Sequence, residues 1–174
     1  MRYLTGMATA VILAMTTTLS AQAPAQAASP PPPAAPAPPN APAPGPTYAV
    51  AQKAIAASHA AGEKLGVRLS CAVVDSRGDL VALGRMDGAR FLTTDVARGK
   101  ALASAIFGQP SGGLGAFAAS PFFQNLNTAA QGRVYPIQGA VPIMKNNQVF
   151  GAIGCSGATA QQDEDSAKVG LALF

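Results

Sequence analysis

Apolar residues recur at helical spacing over residues 48–65. At about 100° per residue, Tyr48, Ala51, Ile55, Ser58, Gly62 and Leu65 fall on one side, with Lys53 and Lys64 opposite. That pattern predicts a surface helix with a buried stripe, stopped at Gly66. Residues 69–74 and 80–85 are short apolar runs on either side of Asp75-Ser76-Arg77-Gly78, which predicts two antiparallel strands and a tight turn. Thr93 or Thr94 can cap a second helix, with Asp95 in its first turn and Val96, Gly99, Ala103, Ile106 and Phe107 as its stripe; Gly108 and Pro110 end it. Residues 111–132, rich in Gly, Ala, Ser and Asn, predict only short helical turns. Apolar runs return over residues 134–144 and 149–155 around Lys145-Asn146-Asn147-Gln148, whose asparagines suit a second hairpin turn. After Gly157-Ala158-Thr159, the acidic run Asp163-Glu164-Asp165 opens a last helix through Val169 and Leu171. The order helix, hairpin, helix, irregular segment, hairpin, helix predicts an α+β domain, one antiparallel sheet with helices packed on one face.

Ahead of the first helix the pattern changes kind. Arg2 is the only charge before Lys53, an apolar run follows it through Val11, Ile12, Leu13 and Met15, and small residues close it. Residues 1–27 therefore read as a secretory signal peptide, with cleavage expected after Ala27 in Ala25-Gln26-Ala27. A retained membrane anchor is the alternative, but Thr5, Gly6, Thr9 and Thr16 to Thr18 interrupt the run short of the ~20 apolar residues a span needs. Eleven of the 15 prolines lie between Pro24 and Pro46, so residues 28–46 are expected to be a disordered Pro/Ala-rich linker, locally extended as polyproline II. The folded domain is then residues 47–174, long enough for a single core. Net charge is only +4, the basic residues are scattered and there is no Trp, so a nucleic-acid surface is not expected. No fixed-period repeat and no zinc-type spacing occurs, and Gly112-Gly113-Leu114-Gly115 lacks the Lys-Ser/Thr of a phosphate-binding loop.

Six stretches, in order, resemble the GlcG/HbpS-like family, whose members are described as haem-binding or haem-degrading. They are Cys71-Ala-Val-Val-Asp75 with Gly78, Arg85-Met86-Asp87-Gly88-Ala89, Ala97-Arg-Gly-Lys-Ala101, Phe107-Gly-Gln-Pro-Ser-Gly112, Gly139-Ala-Val-Pro-Ile143, and Gly151-Ala-Ile-Gly-Cys-Ser-Gly-Ala158 with Gln162-Asp163-Glu164. The resemblance covers nearly all of residues 47–174. It implies a profilin-like or PAS-like sheet, assembly into oligomers, and exported members that bind haem and influence a partner sensor kinase.

His59 is the only histidine, so any imidazole chemistry falls on it. It sits one turn after Ile55 at the edge of the stripe, and Glu63, one turn further on, can hydrogen-bond the ring. The plainer alternative is a surface histidine paired with a glutamate. Because the resemblance implies a ligand on the first helix, His59 is the candidate metal ligand of a non-covalently held haem; Tyr48, Tyr135, Met86 and Met144 are in reserve. No Cys-x-x-Cys-His exists to attach haem covalently. Arg85, Arg90 and Lys100 belong to the densest basic region and are candidates for the carboxylates of such a ligand, the alternative being a solvated loop with local ion pairs.

In the profilin-like order the strands of Cys71 and Cys155 are neighbours, which permits a disulfide in an oxidising compartment; two buried thiols are the other possibility. Taken together, these expectations describe an exported protein, periplasmic or extracellular, that sequesters haem or iron and extends to haem degradation. It would be an even-numbered homo-oligomer able to contact a membrane sensor. An interaction module for that sensor, and a corrinoid or small-molecule binder or enzyme using the same pocket, are the alternatives. On the export reading, protein recovered from the periplasm or medium begins at Ala28; intact-mass measurement checks this, and retention of Met1 would overturn it.

Overall fold

Two hairpins build the sheet. In the computed structural model, which describes residues 45–174, β1 (Ser70–Asp75) and β2 (Leu80–Arg85) form the first, and β3 (Ala140–Lys145) and β4 (Gln148–Ser156) the second. β1 also pairs antiparallel with β4, giving the order β2-β1-β4-β3. Asp75 turns the first hairpin by accepting the N–H groups of Arg77 (2.8 Å) and Asp79 (3.0 Å) on Oδ1. At the second, Asn146 (φ 49°) and Asn147 (φ 60°) both take the left-handed conformation that a two-residue hairpin turn of the favoured twist requires. The signal-peptide expectation and residues 28–44 of the expected linker lie outside the described residues; Gly45 and Pro46, placed in the linker, are instead packed on the domain, Gly45 against Asp75 and Pro46 buried beside Gly151 of β4.

The expected α+β class and single antiparallel sheet are present, but the helices cover both faces rather than one. Ile153 of β4 lies against Gly170 of α4 (Ala160–Leu171), whereas a Cβ on the next residue, Gly154, would come 2.8 Å from the carbonyl oxygen of Ala97 in α2 (Thr93–Phe107). Successive strand residues point to opposite faces, so α4 and α2 flank the sheet from opposite sides. α1 (Tyr48–Lys64) joins α4: Ala51, Ala54 and Ile55 share a core with Cys71, Val73, Ile153 and Ala167. The cause is visible in β1, where five consecutive residues, Ser70 to Val74, are buried and therefore need cover on both sides.

α2 departs from its expected stripe for the same reason. Ala101 and Ala105 pack on Val74 and Ala152, while Ala103 faces a separate small core of Leu114, Phe123 and Val134. With two sides covered, one amphipathic stripe cannot describe the helix; Ile106, placed in that stripe, is exposed. Neither Thr93 nor Thr94 is the N-cap. Leu92 holds that position at φ 62° without a side-chain cap, because the Thr93 hydroxyl bonds to Ser70 Oγ of β1 and the Arg90 carbonyl, each at 2.8 Å. The irregular stretch resolves into a 3₁₀ segment (Ser111–Phe117) and α3 (Pro121–Ala129), whose Ser120 cap accepts the Phe123 N–H.

Two buried links cross between elements. Cys71 and Cys155, directly opposite each other in the β1–β4 register and fully buried, form a disulfide with Cα atoms 4.1 Å apart. Lys100 of α2 meets Asp163 of α4 at 2.8 Å with both side chains almost wholly buried. The acidic run was expected to decorate a helix start. Asp163 does stand in the first turn of α4, but as an internal partner rather than a surface charge, and the cap itself is the Thr159–Gln162 capping box. Because the disulfide spans 84 residues, replacing both cysteines by alanine is expected to cost about 4 kcal/mol in urea unfolding; a loss below ~1 kcal/mol would show that the bond constrains little.

Candidate functional site

α1 crosses the edge strand β2 closely enough that position 84 has no room for a side chain. A Cβ there would lie 2.7 Å from Ile55 Cγ2 and 3.0 Å from His59 Cε1, so Gly84 is what lets the imidazole come down onto the strand. Gly84 is in turn the register partner of Cys71. Beside this contact a cleft of about 330 Å³ runs between α1 and β2, lined by Tyr48, Gln52 and His59 from the helix and by Leu83, Gly84 and Arg85 from the strand. β2 is an outer strand of the sheet, so the cleft opens along the sheet edge.

His59 is half-buried, and its Nε2 is fully shielded without a hydrogen-bond partner. Burial pushes its pKa below 6.5; a backbone hydrogen-bonding contact with Gly84, too poorly aligned to satisfy Nε2, and the charge of Glu63 pull the other way but do not prevail. The ring is therefore neutral at pH 7, the form that offers a lone pair to a metal. In this conformation Nε2 faces the strand, so ligation through it requires the ring to lift off Gly84. An unsatisfied buried nitrogen of this kind costs about 1–3 kcal/mol, which a ligand or water would recover.

The other candidates separate. Arg85 is exposed, lines the cleft and is steered by a hydrogen bond from Nη2 to the Ala89 carbonyl, leaving further guanidinium donors free. Glu63 is exposed and reaches His59 through its charge rather than a hydrogen bond. Arg90 lies on a different cleft, with Arg68, Thr159 and Gln162. Lys100 does not reach the His59 cleft: it is 3% exposed and spent on Asp163 and the Cys155 carbonyl (3.3 Å), because its face of α2 turns inward. Of the reserve ligands only Tyr48 lines the cleft, where its hydroxyl accepts from Gln52 Nε2 at 2.8 Å. Met86 is buried with Sδ accepting the Leu69 N–H, Tyr135 covers Gly99 of α2, and Met144 sits on β3 at the opposite sheet edge. Sequence reasoning missed Gly84, whose only signal was a glycine inside a strand run. Among the described residues no group of three or more His, Cys, Asp or Glu side chains is placed to hold a metal ion.

These features define a class: a small α+β domain, helices on both faces of a four-stranded sheet, with one half-buried histidine on an edge-strand cleft. The model of the family described as "Haem degrading protein HbpS-like" matches residues 47–172, and the chain belongs to that family. It is similar to the crystal structure of Klebsiella pneumoniae protein ORFY, with 30% identity and a TM-score of 0.67 over 74% of this chain and 90% of that one. Similarity to Streptomyces reticuli HbpS, solved as a double mutant, is 28% identity with a TM-score of 0.68 over 84% and 98% of the two chains. The structure of a PduOC:haem complex shares the fold at 21% identity and a TM-score of 0.66, over 75% and 95%.

The depressed imidazole pKa has a stability consequence. Above pH 6.5 the ring is neutral in both folded and unfolded chains, and its contribution is constant. As pH falls below 6.5 the unfolded chain takes up the proton first, so stability declines until the folded ring also titrates. The urea midpoint is expected to drop between pH 7.5 and about 5.5, with a shallower drop in His59→Gln; equal slopes would remove the assigned burial effect.

Proposed function

We propose that this chain is an exported haem-binding protein that holds haem non-covalently at the α1–β2 cleft, with His59 as the residue that would hold the iron. The observation that carries this reading is the neutral imidazole whose shielded Nε2 lacks a partner, beside a guanidinium with free donors. The residues suit the group: once lifted off Gly84, His59 would supply a nitrogen to iron, Leu83 and Ile55 would offer apolar contact to the porphyrin, and Arg85 would suit a propionate. Bound haem would supply an iron centre able to exchange electrons. This chain's own residues orient it and shield one face from water.

The family description and the haem complex of a protein of the same fold support the reading. Degradation of the held haem is its finer form, with sequestration as the primary role. The fully buried Cys71–Cys155 disulfide supports export, since such bonds persist in oxidising compartments. A cleft of about 330 Å³ encloses only part of a macrocycle, which favours a homo-oligomer in which a second surface covers the remainder. A membrane sensor would then read that assembly.

Titration of the mature protein with haemin tests the central claim. A sharpened, saturable Soret band is expected, with affinity at least about tenfold weaker in His59→Ala, corresponding to ~1.4 kcal/mol. Arg85→Gln is expected to weaken binding less and leave the band position unchanged. No spectral change with the wild-type protein, or an unaltered band in His59→Ala, would sink the assignment. Release of iron or biliverdin when a reductant is added distinguishes degradation from storage.

A further inference from the structure

A second cleft, of about 430 Å³, lies where three connections meet: the α1–β1 loop, the β2–α2 loop and the β4–α4 loop. We propose that it is a binding site for a small organic anion carrying carboxylate or phosphate groups, separate from the His59 cleft.

The cleft carries positive charge without compensation. Arg68 and Arg90 are the only charged side chains on the lining, and neither takes part in an ion pair among the described residues. Both are exposed, so their guanidiniums keep their donors for an outside partner. The acids that could neutralise them are engaged or off the lining. Asp163, in the first turn of α4, is bound to Lys100 and to the Ala158 N–H. Glu164 is held by Lys168 at 2.7 Å, and Glu63 and Asp87 do not line the cleft.

Its backbone walls are set independently of that charge. Gly157 brings the β4–α4 loop against the backbone of Arg68, so closely that a Cβ would collide with its carbonyl oxygen. That contact fixes the wall beside one arginine without bulky side chains. Across the cleft, Gly88 turns at φ +78° with nothing within 4 Å of where its Cβ would be, so that side stays open to a ligand. Thr159 and Gln162 also line the cleft, but their side-chain oxygens are taken up by each other and by the N–H groups that open α4, so the two guanidiniums are the groups left to hold an anion. Two of the stretches that carry the family resemblance, 85–89 and 151–158 with Gln162, meet here although they lie far apart in the chain.

The ligand class follows from the donors. A guanidinium grips a carboxylate or a phosphate through two parallel hydrogen bonds, and two such groups with no opposing acid favour a dianion over a neutral sugar or a cation. The volume suits a metabolite-sized molecule. Neither arginine lines the His59 cleft, so occupancy of this site does not depend on haem.

Isothermal titration of the mature protein at fixed ionic strength, with succinate and with inorganic phosphate as probes, tests the site. Saturable binding of at least one probe at about 1 mM or tighter is expected, weakened at least about tenfold in Arg68→Gln/Arg90→Gln and in part by either single change. The charge-matched pair Lys53→Gln/Arg77→Gln, on other surfaces, should bind as the wild type does. Preference for succinate assigns a dicarboxylate, and preference for phosphate assigns a phosphate ester. No saturable binding of either probe up to about 10 mM, or equal weakening in the control pair, would overturn the proposal.

Discussion

The pairing of β1 with β4 is the constraint on which the rest of the molecule hangs. Each hairpin alone is a two-stranded ribbon, marginal in water. Their junction makes one sheet whose two central strands carry most of the buried backbone. One transverse row shows what the junction organises. Gly84 of β2 lies opposite Cys71 of β1, Cys71 opposite Cys155 of β4, and the Cys155 N–H donates to the Gly139 carbonyl, 2.8 Å away, just before β3. At one end of this row the imidazole of His59 rests on Gly84; at the other, Lys100 Nζ would lie 2.6 Å from a Cβ at Gly139. The disulfide locks the middle. A shift of one residue between β1 and β4 would break it and turn every inward side chain to the wrong face.

Burial of the central strands on both faces also explains why the helices pack through small residues. Gly154 under α2 and Gly170 against Ser58 and Ile153 bring backbones together where larger side chains would hold them apart. Elements packed this closely leave little lateral freedom. Two clefts lie at the margins of this packing, one beside β2 and one around the three connections near Arg68 and Arg90. The buried Lys100–Asp163 pair ties α2 to α4 from opposite faces. Removing one partner of such a pair leaves an uncompensated charge, typically costing about 3–5 kcal/mol.

Much of this architecture was legible in the chain because local chemistry and global fold agree. The span 80–85, the Asn146-Asn147 turn, the stop at Gly108 and the first helix all stand close to where periodicity and turn residues put them. What could not be read has definite causes. The unbroken apolar run Cys71-Ala72-Val73-Val74 carried the signal for helices on both faces, but a short apolar run is equally compatible with a strand buried once. Lys100 looked like a surface cation because nothing in local spacing reveals a partner 63 residues away. α3 was legible only as short helical turns although Ser120-Pro121 is a sound helix start, because the surrounding glycines and alanines blur the period. Of the candidate site, His59 and Arg85 share a cleft, while Arg90 belongs to a neighbouring one.

The shielded nitrogen of His59 differs in kind from the other unpaired buried groups, Ser58 Oγ and Ser166 Oγ. A serine hydroxyl inside a helix can turn about one bond toward the carbonyl four residues back, at small cost. An imidazole has no such remedy within its own helix: Nε2 rests against Gly84 of β2, and another partner is reached only when the ring lifts off that strand. The poorly aligned contact with the Gly84 backbone does not satisfy Nε2, so a full hydrogen bond or ligand bond would come from a water, an ion or a ligand. Folding tolerates the deficit because burial lowers the imidazole pKa and keeps the ring uncharged, so the cost is that of a missing hydrogen bond rather than a stranded charge. The histidine is a local inconsistency in an otherwise consistent fold, and such inconsistencies concentrate where a protein meets its ligand.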